Sequence, residues 1–108
     1  MRKALLAAMI FSISGIAQAG ELVTDAVITS VGNTSGNGPS FFVIVSGGSG
    51  LCTNQFIWFP ESAAGDANVF NRAYKSALLA LSTGMHVKIH NYSDNTCAKA
   101  SYIQVSSQ

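Results

Sequence analysis

The spacing of apolar residues in this chain changes at Pro60, and that change limits the folds that it can adopt. Before Pro60 the apolar residues alternate or form short runs, which predicts three β-strands. These strands cover 22–31, 41–45 and 56–59. After Pro60 apolar residues recur every three or four positions, which predicts one helix over about 68–82. The recurring positions are Phe70, Ala73, Tyr74, Ala77, Leu78 and Leu81. Alternation returns in 85–92 and 101–105, so two further strands follow the helix.

The residues around these segments mark their ends. Asp66 can cap the helix by accepting hydrogen bonds from its first backbone N–H groups, and Gly84 lies where a left-handed residue commonly ends a helix. The glycine-rich stretch 32–39 predicts an exposed loop after the first strand, and 93–100 is typical of a turn between the last two strands.

Three strands, a helix and two strands are the element order of the OB-fold, a five-stranded Greek-key barrel. We therefore predict a mainly β fold with one helix, an OB-fold-like β-β-β-α-β-β barrel. The same element counts also permit a small α+β sandwich. In an OB-fold, the loop 32–39 and the turn around Asn95 would be the two connections commonly used for binding.

Residues 1–19 have the pattern of an export signal. Arg2 and Lys3 precede an apolar stretch, and Ala17 and Ala19 occupy the two positions that a signal peptidase reads. The apolar stretch is shorter than the roughly 20 residues that cross a bilayer. We predict cleavage near Ala19, which leaves 20–108 as a single secreted or periplasmic domain without a membrane span.

Cleavage would also change the charge of the chain. Arg2 and Lys3 would leave with the signal, so that four basic side chains remain with five acidic ones and the net charge is about minus one. Affinity for nucleic acid depends on a basic surface. Nucleic acid is therefore excluded as a partner.

Cys52 and Cys97 are the two cysteines of the chain, and both lie in the part predicted to be exported. In an oxidising compartment such a pair is typical of one disulfide, which contributes roughly 4 kcal/mol for a loop of this length on the chain-entropy model. A zinc site normally requires close ligand pairs such as Cys-x-x-Cys, and neither cysteine has a near neighbour.

His86 and His90, the two histidines, lie four residues apart in the fourth predicted strand. On a helix this spacing could hold one zinc ion, but on a strand the two backbones lie about 13 Å apart, which is too far. We predict neither a metal site nor a cofactor. Val87 and Ile89 are expected to face the core, and His86, Lys88 and His90 the opposite side.

The sequence contains none of the common catalytic motifs, so we predict that the protein is not an enzyme. An enzyme would need a deep polar pocket that gathers His86 or His90 with Asp25 or Asp94. Two other classes remain. One is an exported module that binds a glycan or a protein, and the other is a periplasmic interaction or inhibitor protein that blocks an unknown target with the loop 32–39.

Residues 82–90, with the sequence STGMHVKIH, resemble the corresponding segment of receptor-binding B subunits of the subtilase cytotoxin type, which are relatives of the pertussis toxin B subunits. The stretch IWFP at 57–60 is similar to one that precedes the helix in that family. The resemblance implies an OB-fold module that forms a homo-oligomeric ring of five subunits and binds sialylated glycans. It also implies that Thr24 and Asp25 contact the sugar, in place of a serine and an aspartate.

Exposed aromatic rings beside amide and hydroxyl groups are typical of carbohydrate sites. Tyr92, at the end of the fourth strand and close to Asn95, is the best such candidate, whereas Trp58 lies in an apolar run and is interpreted as core. The candidate ligand-binding residues are therefore Thr24, Asp25, Tyr92 and Asn95.

Overall fold

The computed structural model describes residues 20–34 and 38–107. The predicted export signal, 1–19, and the middle of the predicted loop, 35–37, lie outside the described residues. Five antiparallel strands form one sheet in the described part of the chain. They are β1 (Glu21–Thr34), β2 (Ser40–Ser46), β3 (Phe56–Pro60), β4 (His86–His90) and β5 (Tyr102–Ser106). Each overlaps one of the predicted strands, and the observed and predicted ends differ by up to three residues.

Two helices lie between β3 and β4 in the described residues, namely α1 (Glu61–Ala64) and α2 (Ala67–Thr83). α2 is the predicted helix. Its first N–H groups, those of Asn68 and Val69, donate to the Asp66 carboxylate at 2.6 and 3.0 Å, and Gly84 ends it with a φ of 74°. α1 is a single helical turn that the apolar pattern does not predict. Within the described residues, neither helix has the length and hydropathy needed to span a membrane.

The strands are arranged in the order β3-β2-β1-β4-β5. Trp58 of β3 bonds to the segment before β5: its N–H donates to the carbonyl of Cys97 at 2.8 Å, and its carbonyl accepts from the N–H of Ala100 at 2.9 Å. These bonds join β3 to the chain that leads into β5, and the sheet thereby closes on itself. The predicted mainly β, OB-fold-like arrangement is confirmed.

Strict alternation along β2 and β3 decides which side chains enter the barrel. Phe41, Val43, Val45, Ile57 and Phe59 are buried. Their neighbours Phe42, Ile44 and Trp58 are half-buried on the outer side, and Phe56 is 50% exposed. The interpretation of Trp58 as core is therefore corrected, because its position in the alternation places it outside, with its ring 5.0 Å from that of Phe42.

Phe41 joins the helix to the barrel. Its ring stacks on Phe59 with the centroids 4.6 Å apart, and Phe70 and Tyr74 of α2 approach it at 5.5 and 5.1 Å. Aromatic pairs at these distances contribute more stabilisation than the burial of their apolar area alone provides. This cluster fixes α2 over the end of the barrel.

The predicted apolar side of α2 is confirmed at four of its six positions, since Ala73 and Ala77 are buried and Phe70 and Tyr74 pack against the core. Ala73, Ala77 and Ala80 are buried, whereas Leu78 and Leu81, which the periodicity placed on the apolar face, are 40% and 39% exposed. Alanines allow the helix to approach the sheet closely, and the leucines then lie on the flank. The prediction for these two leucines is wrong.

β1 is longer than predicted, because 32–34 continue the strand. Gly32 pairs with Phe42, and a Cβ atom at Gly32 would lie 2.1 Å from the Phe42 ring. Because glycine has no side chain, the Phe42 ring can lie across β1 at this position. An aromatic residue thus covers a glycine on the neighbouring strand. The predicted loop 32–39 is corrected accordingly, since its first three residues are strand.

The predicted disulfide between Cys52 and Cys97 is present, with the two Cα atoms 5.9 Å apart. It links the loop after β2 to the connection before β5, and the 45-residue separation includes β3, both helices and β4. Cys97 also accepts the Trp58 hydrogen bond, so covalent and hydrogen-bonded closure of the barrel occur at one place.

Asn91 organises the turn between β4 and β5. It is 1% exposed, and its side-chain oxygen accepts from the N–H groups of Ser93 and Asp94 while its side-chain nitrogen donates to the Asp94 carboxylate and the Thr96 carbonyl. The backbone N–H and the hydroxyl of Thr96 donate to the same carboxylate. The hydrogen bonds from Thr96 and then from Asn91 lower the pKa of Asp94 from 3.8 to about 2.

We expect Phe41→Ala to reduce the free energy of unfolding by about 3–5 kcal/mol, because it removes the ring that holds α2 against the barrel. Phe56→Ala is the matched control. It deletes a ring of the same size that is half exposed, and it should reduce stability by about 1 kcal/mol or less. Urea unfolding followed by circular dichroism measures both, and equal losses would contradict the central role of Phe41.

Acid should destabilise the protein partly through Asp94. Because its folded pKa is lowered, the stabilisation is complete above the ordinary value near 4 and is lost as the pH falls towards about 2. Asp94→Asn should therefore show a shallower loss of stability between pH 5 and 2 than the unmodified protein. Glu21→Gln, at an exposed position of β1, is the control and should keep the original slope. Identical slopes for both variants in urea titrations would show that Asp94 does not contribute.

Candidate functional site

β1 contains a bulge at Thr24 and Asp25. Its pairing with β4 shifts register between Val23 and Ala26, and Asp25 has a φ of 58°. This left-handed conformation is uncommon for a residue with a side chain, although aspartate tolerates it better than most. The Asp25 side chain is 78% exposed, so the bulge presents a carboxylate on the outside of the barrel.

The carboxylate of Asp25 contacts His86 of β4. Its Oδ1 lies 2.5 Å from Nδ1 of the imidazole, which is 30% exposed. An ionised carboxylate accepts hydrogen bonds and donates none, so the proton of this contact belongs to His86 Nδ1. In the neutral ring the other nitrogen, Nε2, is then an acceptor.

An open groove of about 280 Å³ lies beside this pair. It is lined by Thr24, Asp25, His86, Val87, Lys88, Gln104, Ser106 and Ser107. Three hydroxyls, an amide, a carboxylate, an imidazole and an ammonium group thus surround one concave surface. Such a lining suits a small polar ligand that presents several hydrogen-bonding groups.

The outer side chains of β4 and β5 extend this groove into a row. Register pairs His86 with Ser106, Lys88 with Gln104, and His90 with Tyr102, so all six lie on the same face of the sheet. We call these six residues the outer row. The predicted alternation of β4 is confirmed for Val87 and Ile89, which are buried, while His86, Lys88 and His90 are half-buried on the other side.

Three rings close the far end of the outer row. His90 stacks on Tyr92 with centroids 5.5 Å apart and planes 2° from parallel, and it meets the edge of Tyr102 at 4.9 Å. Tyr92 is 70% exposed. The Tyr102 hydroxyl donates to the Gln104 side chain at 2.8 Å, which connects the rings to the polar part of the row.

The four candidate residues occupy three places in this arrangement. Thr24 and Asp25 line the groove, and Tyr92 lies at the opposite end of the outer row, two residues beyond the end of β4. Asn95 lies in the turn between β4 and β5 and is exposed. The structure therefore places Thr24, Asp25 and Tyr92 along one face, with Asn95 beyond its end.

The sequence did not identify Lys88, Gln104 or Ser106 as groove residues. Alternation could have identified them, because it predicts which side chains of β4 and β5 share a face. From the sequence, a pairing of His86 with Asp25 is expected only in an enzyme. The two residues are 61 positions apart, and the structure brings them together in an open groove rather than a deep pocket.

A second exposed surface consists of aromatic residues on the outer side of β2 and β3. The Phe42 ring lies 5.1 Å from Phe56 and 5.0 Å from Trp58. We call these three residues the aromatic strip. It contains no charged side chain, in contrast to the groove.

Within residues 20–34 and 38–107, no cluster of three or more histidine, cysteine, aspartate or glutamate side chains has a geometry that could hold a metal ion.

Comparison with curated proteins and with solved structures finds no match to this chain. One family model matches residues 3–107, which is almost the whole sequence. The chain therefore belongs to the family of unknown function DUF5992.

Proposed function

We propose that this protein is an exported, non-enzymatic module that binds a glycan along the outer row of β4 and β5. The observation that carries the proposal is the division of this row into two ends. A polar groove lies at one end and an exposed tyrosine stacked on a histidine at the other. Carbohydrates present both kinds of surface, since their hydroxyls need hydrogen bonds and their ring faces are apolar.

Tyr92 provides the apolar contact. Its ring is held parallel to His90, and 70% of the residue is exposed, so its outer face is available to a sugar ring. An aromatic ring that is already fixed by stacking loses little conformational entropy when a ligand binds. This is a reason to prefer Tyr92 over a flexible exposed side chain as the binding platform.

The groove provides the polar contacts. Thr24 offers a hydroxyl, Gln104 an amide, and Asp25 and Lys88 charges of opposite sign. These groups can accept from and donate to neighbouring sugar hydroxyls. Because the groove and Tyr92 lie at opposite ends of the outer row, the arrangement favours an oligosaccharide over a single sugar.

The resemblance to toxin B subunits supports the same location. That resemblance implied sugar contacts at Thr24 and Asp25, and both residues line the groove.

The proposal also includes export and assembly: the signal at 1–19 directs the protein to a secreted or periplasmic location, where it forms a homo-oligomer. The disulfide is compatible with an oxidising compartment. Leu78, Leu79 and Leu81, which are exposed on α2, offer apolar surface for contacts between copies.

A second candidate function is a periplasmic interaction or inhibitor protein. The aromatic strip favours it, because exposed aromatic residues are enriched where proteins bind one another. In that case the target would cover Phe42, Phe56 and Trp58 rather than the outer row.

A glycan array probed with the exported protein should give a signal, and calorimetry with the bound glycan should then rank the variants. Tyr92→Ala should weaken binding roughly tenfold or more, since a central aromatic contact is lost. Phe56→Ala, which removes an exposed ring from the aromatic strip, is the matched control and should leave the affinity unchanged.

Light scattering after size exclusion completes the test. A strict monomer with no signal on the array would contradict the glycan proposal. Glycan binding that is lost with Phe56→Ala and kept with Tyr92→Ala would place the glycan site on the aromatic strip and contradict the role proposed for the outer row.

A further inference from the structure

We infer that residues 47–52, the loop anchored by the disulfide, position the proposed binding site by holding Thr24 and Asp25 in their bulge. We call these residues the positioning loop. The role of this loop in ligand binding rests on the proposed function. Its effect on the positions of Thr24 and Asp25 can be measured without a ligand.

Ser49 pairs with Thr24 where β1 departs from regular pairing with β4. The two residues exchange backbone hydrogen bonds of 2.9 and 3.1 Å and form an isolated antiparallel bridge. Their hydroxyl oxygens lie 3.1 Å apart. The positioning loop thus supplies backbone partners at the bulge.

Two glycines allow the loop to lie directly against β1. A Cβ atom on Gly48 would be 2.2 Å from the Thr24 carbonyl oxygen and 2.9 Å from the nitrogen of Ala26. A Cβ atom on Gly50 would be 2.4 Å from the carbonyl oxygen of Leu22. Backbone therefore packs on backbone on both sides of Asp25, with no room for a side chain between them.

The disulfide fixes the end of the positioning loop. The N–H of Cys52 donates to the carbonyl of Leu22 at 2.9 Å, and Cys52 is fully buried. Its sulfur is bonded to Cys97, whose carbonyl accepts from Trp58 at the closure of the barrel. The end of the loop is therefore tied to β1 by a hydrogen bond and to the closure of the barrel by the disulfide.

The conformation of Asp25 requires such support. A residue with a side chain at a φ of 58° persists only where its surroundings determine it. If β1 relaxed to regular pairing, a change of one residue in register would turn each of its side chains to the other face. The Asp25 carboxylate would then leave His86, and the groove would lose its acidic wall.

The proton position on His86 provides a direct measurement of this coupling. A hydrogen bond from the neutral His86 ring to the Asp25 carboxylate requires the proton on Nδ1, and the charged side chains that line the groove beside His86 are Asp25 and Lys88. Two-bond ¹H–¹⁵N correlation spectra of the imidazole distinguish the tautomers. His90→Gln identifies the His86 signals, and Asp25→Ala gives the spectrum expected when the carboxylate is absent.

Gly48→Ala and Gly47→Ala form a matched pair. Their φ values are 69° and 76°, so both substitutions impose similar backbone strain, but a Cβ atom on Gly47 meets nothing within 4 Å. We expect Gly47→Ala to keep the original His86 spectrum and Gly48→Ala to shift it towards that of Asp25→Ala. Circular dichroism establishes that each variant is folded at the temperature of the measurement.

Unchanged His86 spectra in both variants, or equal changes in both, would overturn the inference, because contact with Thr24 would then not be the cause. Cys52→Ala/Cys97→Ala, studied at low temperature, should also lose the original spectrum, and retention of that spectrum in a folded double variant would overturn the role of the anchor.

The spectra require no ligand, so their outcome is independent of whether a glycan binds. A negative array with a shifted Gly48→Ala spectrum would refute the proposed function and leave the positioning role intact. A positive array in which Asp25→Ala weakens binding, but Gly48→Ala does not, would refute the positioning role alone.

Discussion

Closure of the barrel between β3 and the segment that leads into β5 is the constraint on which the rest of this structure depends. An open five-stranded sheet would leave unpaired N–H and C=O groups along both of its edges. Here Trp58 bonds to Cys97 and Ala100, and the Cys52–Cys97 disulfide fixes the same region covalently. A domain of this size buries a limited core, so a covalent closure that restricts the unfolded chain is a large part of its stability.

The closed barrel separates two sets of side chains. One set is buried around Phe41, and the other, on the outer surface, is free to carry polar and aromatic groups without loss of core packing. The disulfide contributes both to the closure of the barrel and to the arrangement of the outer surface. It secures the barrel through Cys97, and through Cys52 it keeps the positioning loop against β1, where the Asp25 carboxylate is presented to His86.

Features that depend on neighbouring residues in the chain could be predicted from the sequence. The cap at Asp66, the stop at Gly84 and the alternation around Val87 are of this kind. Features that depend on distant contacts could not. Gly32 is typical of a loop until the Phe42 ring is placed above it, and the periodicity of α2 does not reveal that its alanines are buried while Leu78 and Leu81 are exposed. In the site, the end of a strand indicated that Tyr92 is exposed, but a bulge imposed by residues 47–52 decides where Asp25 lies.

Stability alone does not account for the pair formed by Asp25 and His86. His86 is charged only when it is protonated, and even then an exposed ion pair contributes about 0.2–1 kcal/mol, and less as salt increases. Holding a residue with a side chain in the left-handed conformation costs about 1–3 kcal/mol, somewhat less for aspartate. The contact with His86 therefore offsets at most part of the conformational cost at Asp25, which is mostly exposed and has a φ of 58°. Strain maintained at an exposed polar group, inside a groove of hydroxyl and amide side chains, supports the proposal that this carboxylate is oriented towards a ligand.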